Sequence, residues 1–457
     1  MPQKENKMGT MPVNRLLLTM SLPMVISMLV QALYNIVDSI YVSQISENAL
    51  TAVSLAFPIQ NLMIAFASGT GVGVNALLSK SLGQKNFEQA DRAAANGVVI
   101  TVFNILLFVL IGAFGSHAFF AAQTDIAEIV DAGTQYMTVC ATLCFGIFGE
   151  IMFERLLQST GKTMLSMITQ GVGAIINIVL DPIMIFGYFG MPAMGVRGAA
   201  LATVIGQIVA MLLAVILNAK FNHEIHVRIK DMLRPHGKTI GAILKVGVPS
   251  IAMISIGSIM NFCMNLILLS FTATAAAVFG VYFKLQSFIF MPIFGMNNGL
   301  VPIIAYNYGA RSSKRILQAF KLAAIYAMSY MLLGLVVFQF FPSTLLGFFD
   351  ASEQMLSIGD VALRIISISF LFAGFNIVSG SIFQALGNGL YSLIVSVARQ
   401  LVALLPIAFL LSKTGNVDAV WWAFPISEVI STCLTLLFVR NIYRDRIKPL
   451  DSAPAKN

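Results

Sequence analysis

Two aspartates stand where an acidic side chain is expensive. Asp38 closes a run of 22 residues, Leu16 to Val37, that carries no charge, and more apolar residues follow it. Asp181 lies inside a second apolar run, with Asn177 one turn before it on the same helical face. A carboxylate at bilayer depth costs roughly 2.5–3.5 kcal/mol. Two carboxylates in one low-dielectric pocket cannot both stay charged without a counter-cation. A proton or a sodium ion relieves both the desolvation and the like-charge repulsion. The chemistry these residues point to is reversible cation binding within a membrane. The alternative is a polar network that ties helices together.

The elements that must position them are membrane spans. Of 457 residues, 58% are hydrophobic and 11% charged, where a soluble globular chain has about 25% charged residues. Mean hydropathy is +0.84. This composition predicts an all-α polytopic membrane protein embedded in a lipid bilayer. No cleavable signal pattern is expected, because the first apolar run is too long for a signal core. Cys140, Cys144, Cys263 and Cys433 all fall in apolar runs, so a disulfide framework is not expected. Charge-free windows predict twelve spans, near 16–43, 50–79, 94–116, 132–156, 166–190, 197–218, 242–271, 275–304, 319–341, 358–384, 392–412 and 418–440. With the N-terminus inside, the inner loops and tails hold 23 Lys and Arg and the outer loops two, Arg197 and Lys413. That asymmetry predicts cytoplasmic N- and C-termini in the cell membrane. The net charge of +8 is therefore positive-inside charge and does not point to nucleic acid.

Landmarks recur at an offset of 226 residues: Pro23 and Pro249, Asn35 and Asn261, Gln60 and Gln286, Gly69 and Gly295, Gly73 and Gly299, Gly83 and Gly309, Gln158 and Gln384. The chain reads as two pseudo-symmetric six-helix bundles, 1–218 and 242–457, joined by a basic linker, 219–241. Six is even, so both halves enter the membrane from the same side, as in parallel-repeat transporters. His223, His226 and His236 fall in the linker and read as solvated loop residues, with no metal site expected.

Topology fixes depth. Asp38 lies about 33 Å of helix beyond Leu16. Asp181 is in the outer half of the fifth span, and Thr203, entering the sixth, comes to the same level, with Gln207 below it. Asn35 and Tyr34 neighbour Asp38 on its helix. Pro23 lacks an N–H and lets the first helix bend, a candidate hinge.

Several stretches together resemble the multidrug and toxic compound extrusion (MATE) family over nearly the whole chain. They are "MSLPMVISMLVQALYNIVDSIYVSQIS", "SKSLGQKNFEQA", "ERLLQSTGKT", "NIVLDPIMIFG" and "GVRGAALAT". The resemblance implies twelve helices in two bundles that open alternately to the two sides. It implies antiport of H⁺ or Na⁺ against amphipathic, mostly cationic compounds, with no other cofactor. It also implies that Asp38, Asn177, Asp181 and Thr203 bind the coupling cation. Some branches of the family carry further acids in the seventh and tenth spans. Here the seventh has none, Met264 stands at the repeat position of Asp38, and Asp360 in the tenth reads as the rim partner of Arg364. Coupling through the N-terminal lobe is expected.

Among the other intramembrane charges, Glu150 and Glu428 are candidates for meeting a cationic substrate in the cavity, with Asn35 as a polar contact. Glu154 is expected at the inner rim, and Lys284 and Arg399 are expected to snorkel. "QSTGKT" lacks the first glycine of a phosphate loop, since Leu156 stands there, so no ATP is expected. No catalytic residue is identified and the chain does not read as an enzyme. A lipid-linked saccharide flippase of related architecture is the alternative; it would favour a more cationic cleft.

Overall fold

The computed structural model describes residues 6–349 and 351–452, and among them there is no β-strand. With no water in the hydrocarbon core, backbone N–H and C=O groups must pair within the segment, which leaves helices for an open apolar chain. In order they are α1 Val13–Ser43, α2 Glu47–Gly83, α3 Phe87–Ala121, the bent pair α4 Ala127–Thr142 and Phe145–Ser159, α5 Thr163–Phe186 and α6 Gly195–Phe221. The second set is α7 Gly237–Leu269, α8 Ala273–Gly309, α9 Ser313–Phe340, the bent pair α10 Glu353–Ser367 and Phe370–Ala385, α11 Gly389–Ser412 and α12 Val417–Asp451. Counting each bent pair once gives twelve spans among the described residues.

Most helices outrun the apolar windows. α2 and α8 are 37 residues each, about 55 Å, well beyond a hydrocarbon core of about 30 Å. Their ends are capped by polar side chains that charge-free windows do not see. Ser46 Oγ accepts the Ala49 N–H at 3.0 Å, and its repeat mate Thr272 Oγ1 accepts the Ala275 N–H at 3.1 Å. α5 is shorter than the window 166–190, because Gly187 turns left-handed at φ +78° and stops it.

α4 and α10 bend by 42° and 50°. The sequence reading gave each one span without a break, and no proline marks either site. At the breaks the ladder tightens by one residue. Gly146 N–H reaches Leu143 O at 3.4 Å, and Ser369 N–H reaches Ile366 O at 3.0 Å, while the Ser369 hydroxyl also donates to Ile366 O. The bends sit at repeat-related positions.

The halves meet along α1, α2, α7 and α8, with α1 against α8 and α2 against both α7 and α8. The repeated glycines make this contact. Gly69 and Gly73 face α7, Gly295 and Gly299 face α1, and Gly83 and Gly309 bring α2 and α8 together backbone to backbone. A Cβ on Gly83 would collide with Tyr306 O, and one on Gly309 with Lys80 O. All six lie in the halves of α2 and α8 nearer the chain termini. Asn61 Nδ2 donates to Ser258 Oγ at 2.8 Å, the last side-chain hydrogen bond between the halves toward the far end, among the described residues.

Residues 6–12 cross the same interface. Asn6 Nδ2 donates to Glu224 Oε2 at 2.6 Å and to Thr160 O at 3.1 Å on one side. On the other, Asn307 Nδ2 donates to Met8 O at 3.1 Å, and Arg315 Nη2 donates to Met8 O at 3.0 Å and Met11 O at 2.7 Å. Met8 is buried in the core of the second half. Burial first, then the Lys162 charge, lowers the Lys7 ammonium from its usual value, and Glu224 opposes them.

The linker packs against α3. The His226 N–H donates to Asp91 Oδ1 at 2.7 Å and the His236 N–H to Asn96 Oδ1 at 2.9 Å. His236 Nδ1 also lies 2.8 Å from Thr239 Oγ1, so His236 caps α7 rather than standing in solvent.

Candidate functional site

α5 and α6 pack closely because small residues face each other. A Cβ on Gly206 would fall 2.7 Å from Gly173 O and 3.3 Å from the Asn177 Cβ. This approach brings three of the expected residues into one network. Asn177 Nδ2 donates to Asp181 Oδ1 at 3.3 Å and to Thr203 Oγ1 at 3.3 Å. The Thr203 hydroxyl donates to Ala199 O at 3.0 Å, one turn back on α6. Asn177 and Asp181 are buried, at 3% and 0% exposure.

Asp38 comes from α1, which packs on α5. It shares no hydrogen bond with the network, but its charge and that of Asp181 act on each other. Three acceptor atoms here are buried with no partner among the described residues: Asp38 Oδ1, Asp181 Oδ2 and Asn177 Oδ1. Orphaned buried acceptors cost about 1–3 kcal/mol each, more when charged. A cluster of acceptors with two carboxylates among them fits a cation or a proton.

Sequence reasoning missed two members of this pocket. Gln60 Nε2 of α2 donates to the hydroxyl of buried Tyr136 on α4 at 3.0 Å, and Tyr136 feels the charges of Asp38 and Asp181. Neither carries a charge, so neither stands out within an apolar run, although Gln60 is a repeat landmark.

Glu150 is half-buried just past the α4 bend, and its charge reaches Tyr34 and Glu154. It therefore belongs to the same lobe's polar interior, on the side of the pocket nearer the termini. Asn35 is exposed on α1. Pro23 is buried within α1, which runs unbroken across it. Glu154 is not a rim residue: it is buried and accepts from Thr169 Oγ1 at 2.8 Å. Arg155 is not a loop charge. Its buried Nη1 donates to Gln158 Oε1 and, across the interface, to Asn298 Oδ1, each at 2.9 Å.

In the second half, Asp360 and Arg364 form the rim pair, Oδ2 to Nε 2.8 Å. Lys284 lies over the Phe349 ring at 5.9 Å. Arg399 differs from expectation. Arg399 does not snorkel; its Nη1 is 3.5 Å from Glu428 Oε2. Glu428 Oε1 accepts from Asn376 Nδ2 at 2.8 Å. Glu428 already has a cation of its own, unlike the carboxylates of the first half.

This lobed helical fold has known relatives. The MatE family model matches the chain twice, over residues 23–183 and 249–410. The chain belongs to the MatE family. It is 25% identical over 438 residues to the multidrug export protein MepA of Staphylococcus aureus (strain MRSA252), covering 95% of each chain. It is 26% identical over 426 residues to a FAD transporter of Shewanella oneidensis, covering 92% of each. Among solved structures it superposes at TM-score 0.91, with 26% identity and 99% of each chain covered, on an outward-facing conformation of a multidrug resistance MATE family transporter. The protein is thus a multi-pass cell-membrane transporter of the MATE type and not an enzyme, and the two matched segments lie at the offset that the sequence landmarks show.

Proposed function

We propose that this MATE transporter exports amphipathic, mostly cationic compounds in exchange for H⁺ or Na⁺, with both termini in the cytoplasm. The observation that carries the reading is the pocket of α1, α5 and α6: Asn177, Asp181 and Thr203 in one hydrogen-bonded network, Asp38 beside it, and buried carboxylate oxygens that no group among the described residues satisfies.

α1 links this pocket to the interface. Asp38 is 17 residues from Ser21, about 26 Å along the helix. The Ser21 hydroxyl donates across the halves to Met296 O at 3.2 Å, and α8 lies against Met20 and Met24 through Gly299 and Gly295. Loading a cation at Asp38 and Asp181 removes their repulsion and lets α1 settle against α5. Unloading restores it. Pro23, at the level of the interface contacts, leaves one backbone acceptor without its helical donor and lowers the resistance of α1 to bending there. A helix that senses ion occupancy at one end and grips the other lobe at the other can bias the balance between two open states.

The glycine contacts join the halves at the terminus-bearing end. With cytoplasmic termini, that is a transporter closed inside and open outside. In this reading Glu150, deeper than Asp38, meets a cationic substrate, and Asn35 contacts it near the outer opening. The flippase reading calls for clustered cations in the cleft, whereas Arg399 is paired with Glu428 and the first half offers acids.

The test is export of a dye cation by the purified protein in liposomes, driven by a pH gradient alone and then by a sodium gradient alone. Transport under one of them names the coupling ion. Correctly inserted, folded protein that moves dye under neither gradient overturns the antiport reading, and binding of lipid-linked sugar in its place would establish the flippase.

A further inference from the structure

The second half has a polar interior of its own, built differently from the first. α11 opens into a π-turn over Ala398–Leu404, which adds a residue to the turn and re-aims the side chains on it. Arg399 stands on that turn, midway along the span Gly389–Ser412. Glu428 faces it from α12, Asn376 of α10 holds Glu428, and Tyr282 of α8 feels the charges of Arg399 and Glu428. On α12, Glu428, Ser431, Thr432 and Thr435 recur at helical spacing and form one polar stripe.

The hydrogen bonds in this cluster are unevenly distributed. Glu428 Oε1 is taken by Asn376, whose Nδ2 also donates to Thr432 Oγ1 at 2.9 Å. Arg399 is left with less. Among the described residues its guanidinium makes the 3.5 Å ion pair and no hydrogen bond, and its side chain is 28% exposed where that of Glu428 is 8%. A guanidinium has five N–H donors in a rigid fork that matches a carboxylate. At this depth it cannot face lipid without heavy cost, so its exposed edge belongs to a protein-lined space. Beside it lies an aromatic surface: the Tyr282 ring is 6.0 Å from that of Phe424 and 5.7 Å from that of Phe283, and the latter two are half-buried. Asn376 Oδ1 and the hydroxyls of Ser379 and Ser431 are buried without a partner among the described residues.

We propose that Arg399 is an anion-recognising subsite of the second lobe, which takes the carboxylate of a zwitterionic or anionic amphiphile in competition with Glu428, itself held by Asn376. The two lobes then present opposite polarity to one substrate, acids in the first half and an arginine in the second. A planar molecule with a cationic ring and a free carboxylate is the class that satisfies both. The inference rests on the exporter reading, and its test reads equilibrium binding, so that a failure of ion coupling leaves it open to judgement on its own.

The probes are rhodamine B, which keeps a free carboxylate, and its ethyl ester, which has the same ring system and no anion. Binding to the purified full-length protein is followed by fluorescence anisotropy. The double variant Arg399→Gln/Glu428→Gln removes both charges and leaves no orphaned ion. It should lose about tenfold in affinity for rhodamine B while the ester changes by less than about twofold, the loss of one charged hydrogen-bonding contact. Glu428→Gln alone removes the competing carboxylate and should tighten rhodamine B and not the ester. Retained ester binding reports that the variants are folded. If the double variant does not fold, Glu428→Gln decides, and unchanged or weaker rhodamine B binding there overturns the proposal. Equal losses for both dyes, no loss for rhodamine B, or a wild type that binds the ester and ignores rhodamine B also overturn it. A wild type that binds neither dye overturns it together with the exporter reading.

Discussion

The two halves of this transporter share a backbone plan and differ in what they place at mid-membrane. Both bend their fourth helix within one residue of the repeat position. Both turn at a positive-φ glycine after that helix, Gly161 at +86° and Gly387 at +79°. Both tie their second helix to their fourth near the far end, Asn48 to Glu128 at 2.5 Å and Thr274 to Gln354 at 3.3 Å, which are again repeat mates. The site residues do not repeat. Asp38 has Met264 as its mate, Asn177 has Ala403, Asp181 has Ile407 and Glu150 has Asn376. Conversely, Arg399 and Glu428 have Gly173 and Ala202. The positions that make the lobes fit together must stay equivalent, because the interface is pseudo-symmetric. The positions that hold charge are free to diverge, and they have: unpaired acids in one lobe, an ion pair in the other.

The comparison can be broken most severely at Asp181. Asp181→Asn keeps the hydrogen-bonding shape and removes the charge, so gradient-driven export should fall by about a hundredfold or more, while Ile407→Val at the mate position should stay within about twofold. Initial rates in liposomes at equal protein level check both. The interface should show the opposite pattern, equal effects in the two halves. Gly83→Ala and Gly309→Ala each drive a methyl into a facing carbonyl and should destabilise by about 1–3 kcal/mol, to similar extents. Thermal unfolding in detergent measures this, and a large difference between the two would deny the pseudo-symmetry of the contact. Glu150→Gln should weaken a cationic dye about threefold to tenfold and a neutral one little, a split visible in paired binding isotherms; equal weakening would make Glu150 structural. The smallest effect belongs to the rim. Asp360→Asn breaks an exposed i,i+4 pair and should change stability by about 0.5 kcal/mol or less, with transport unaltered.

Much of the plan was legible in the sequence because it depends on residue types that few alternatives can replace. Gly69, Gly73, Gly83 and their mates stand out by being small where backbones touch, and Asp38 and Asp181 by being charged where charge is costly. What stayed hidden depends on backbone detail or on neutral side chains. The bends in α4 and α10 lack proline, so no residue announces them. Arg399 looked free to snorkel because an ordinary helical count ignores the π-turn that sets it against Glu428. Tyr136 and Gln60 carry no charge and blend into an apolar run. Arg155 and residues 6–12 read as loop and tail because their partners, Asn298, Asn307 and Arg315, lie across the interface and far away in sequence.

The central claim is that coupling resides in the acids of the first lobe and not in the carboxylate of the second. Export of a dye cation from liposomes, under the gradient that drives the wild type, tests it with two variants side by side, Asp38→Asn and Glu428→Gln. The account predicts that Asp38→Asn abolishes gradient-driven export and that Glu428→Gln remains coupled. Coupled export by Asp38→Asn, or its loss in folded Glu428→Gln, would contradict it.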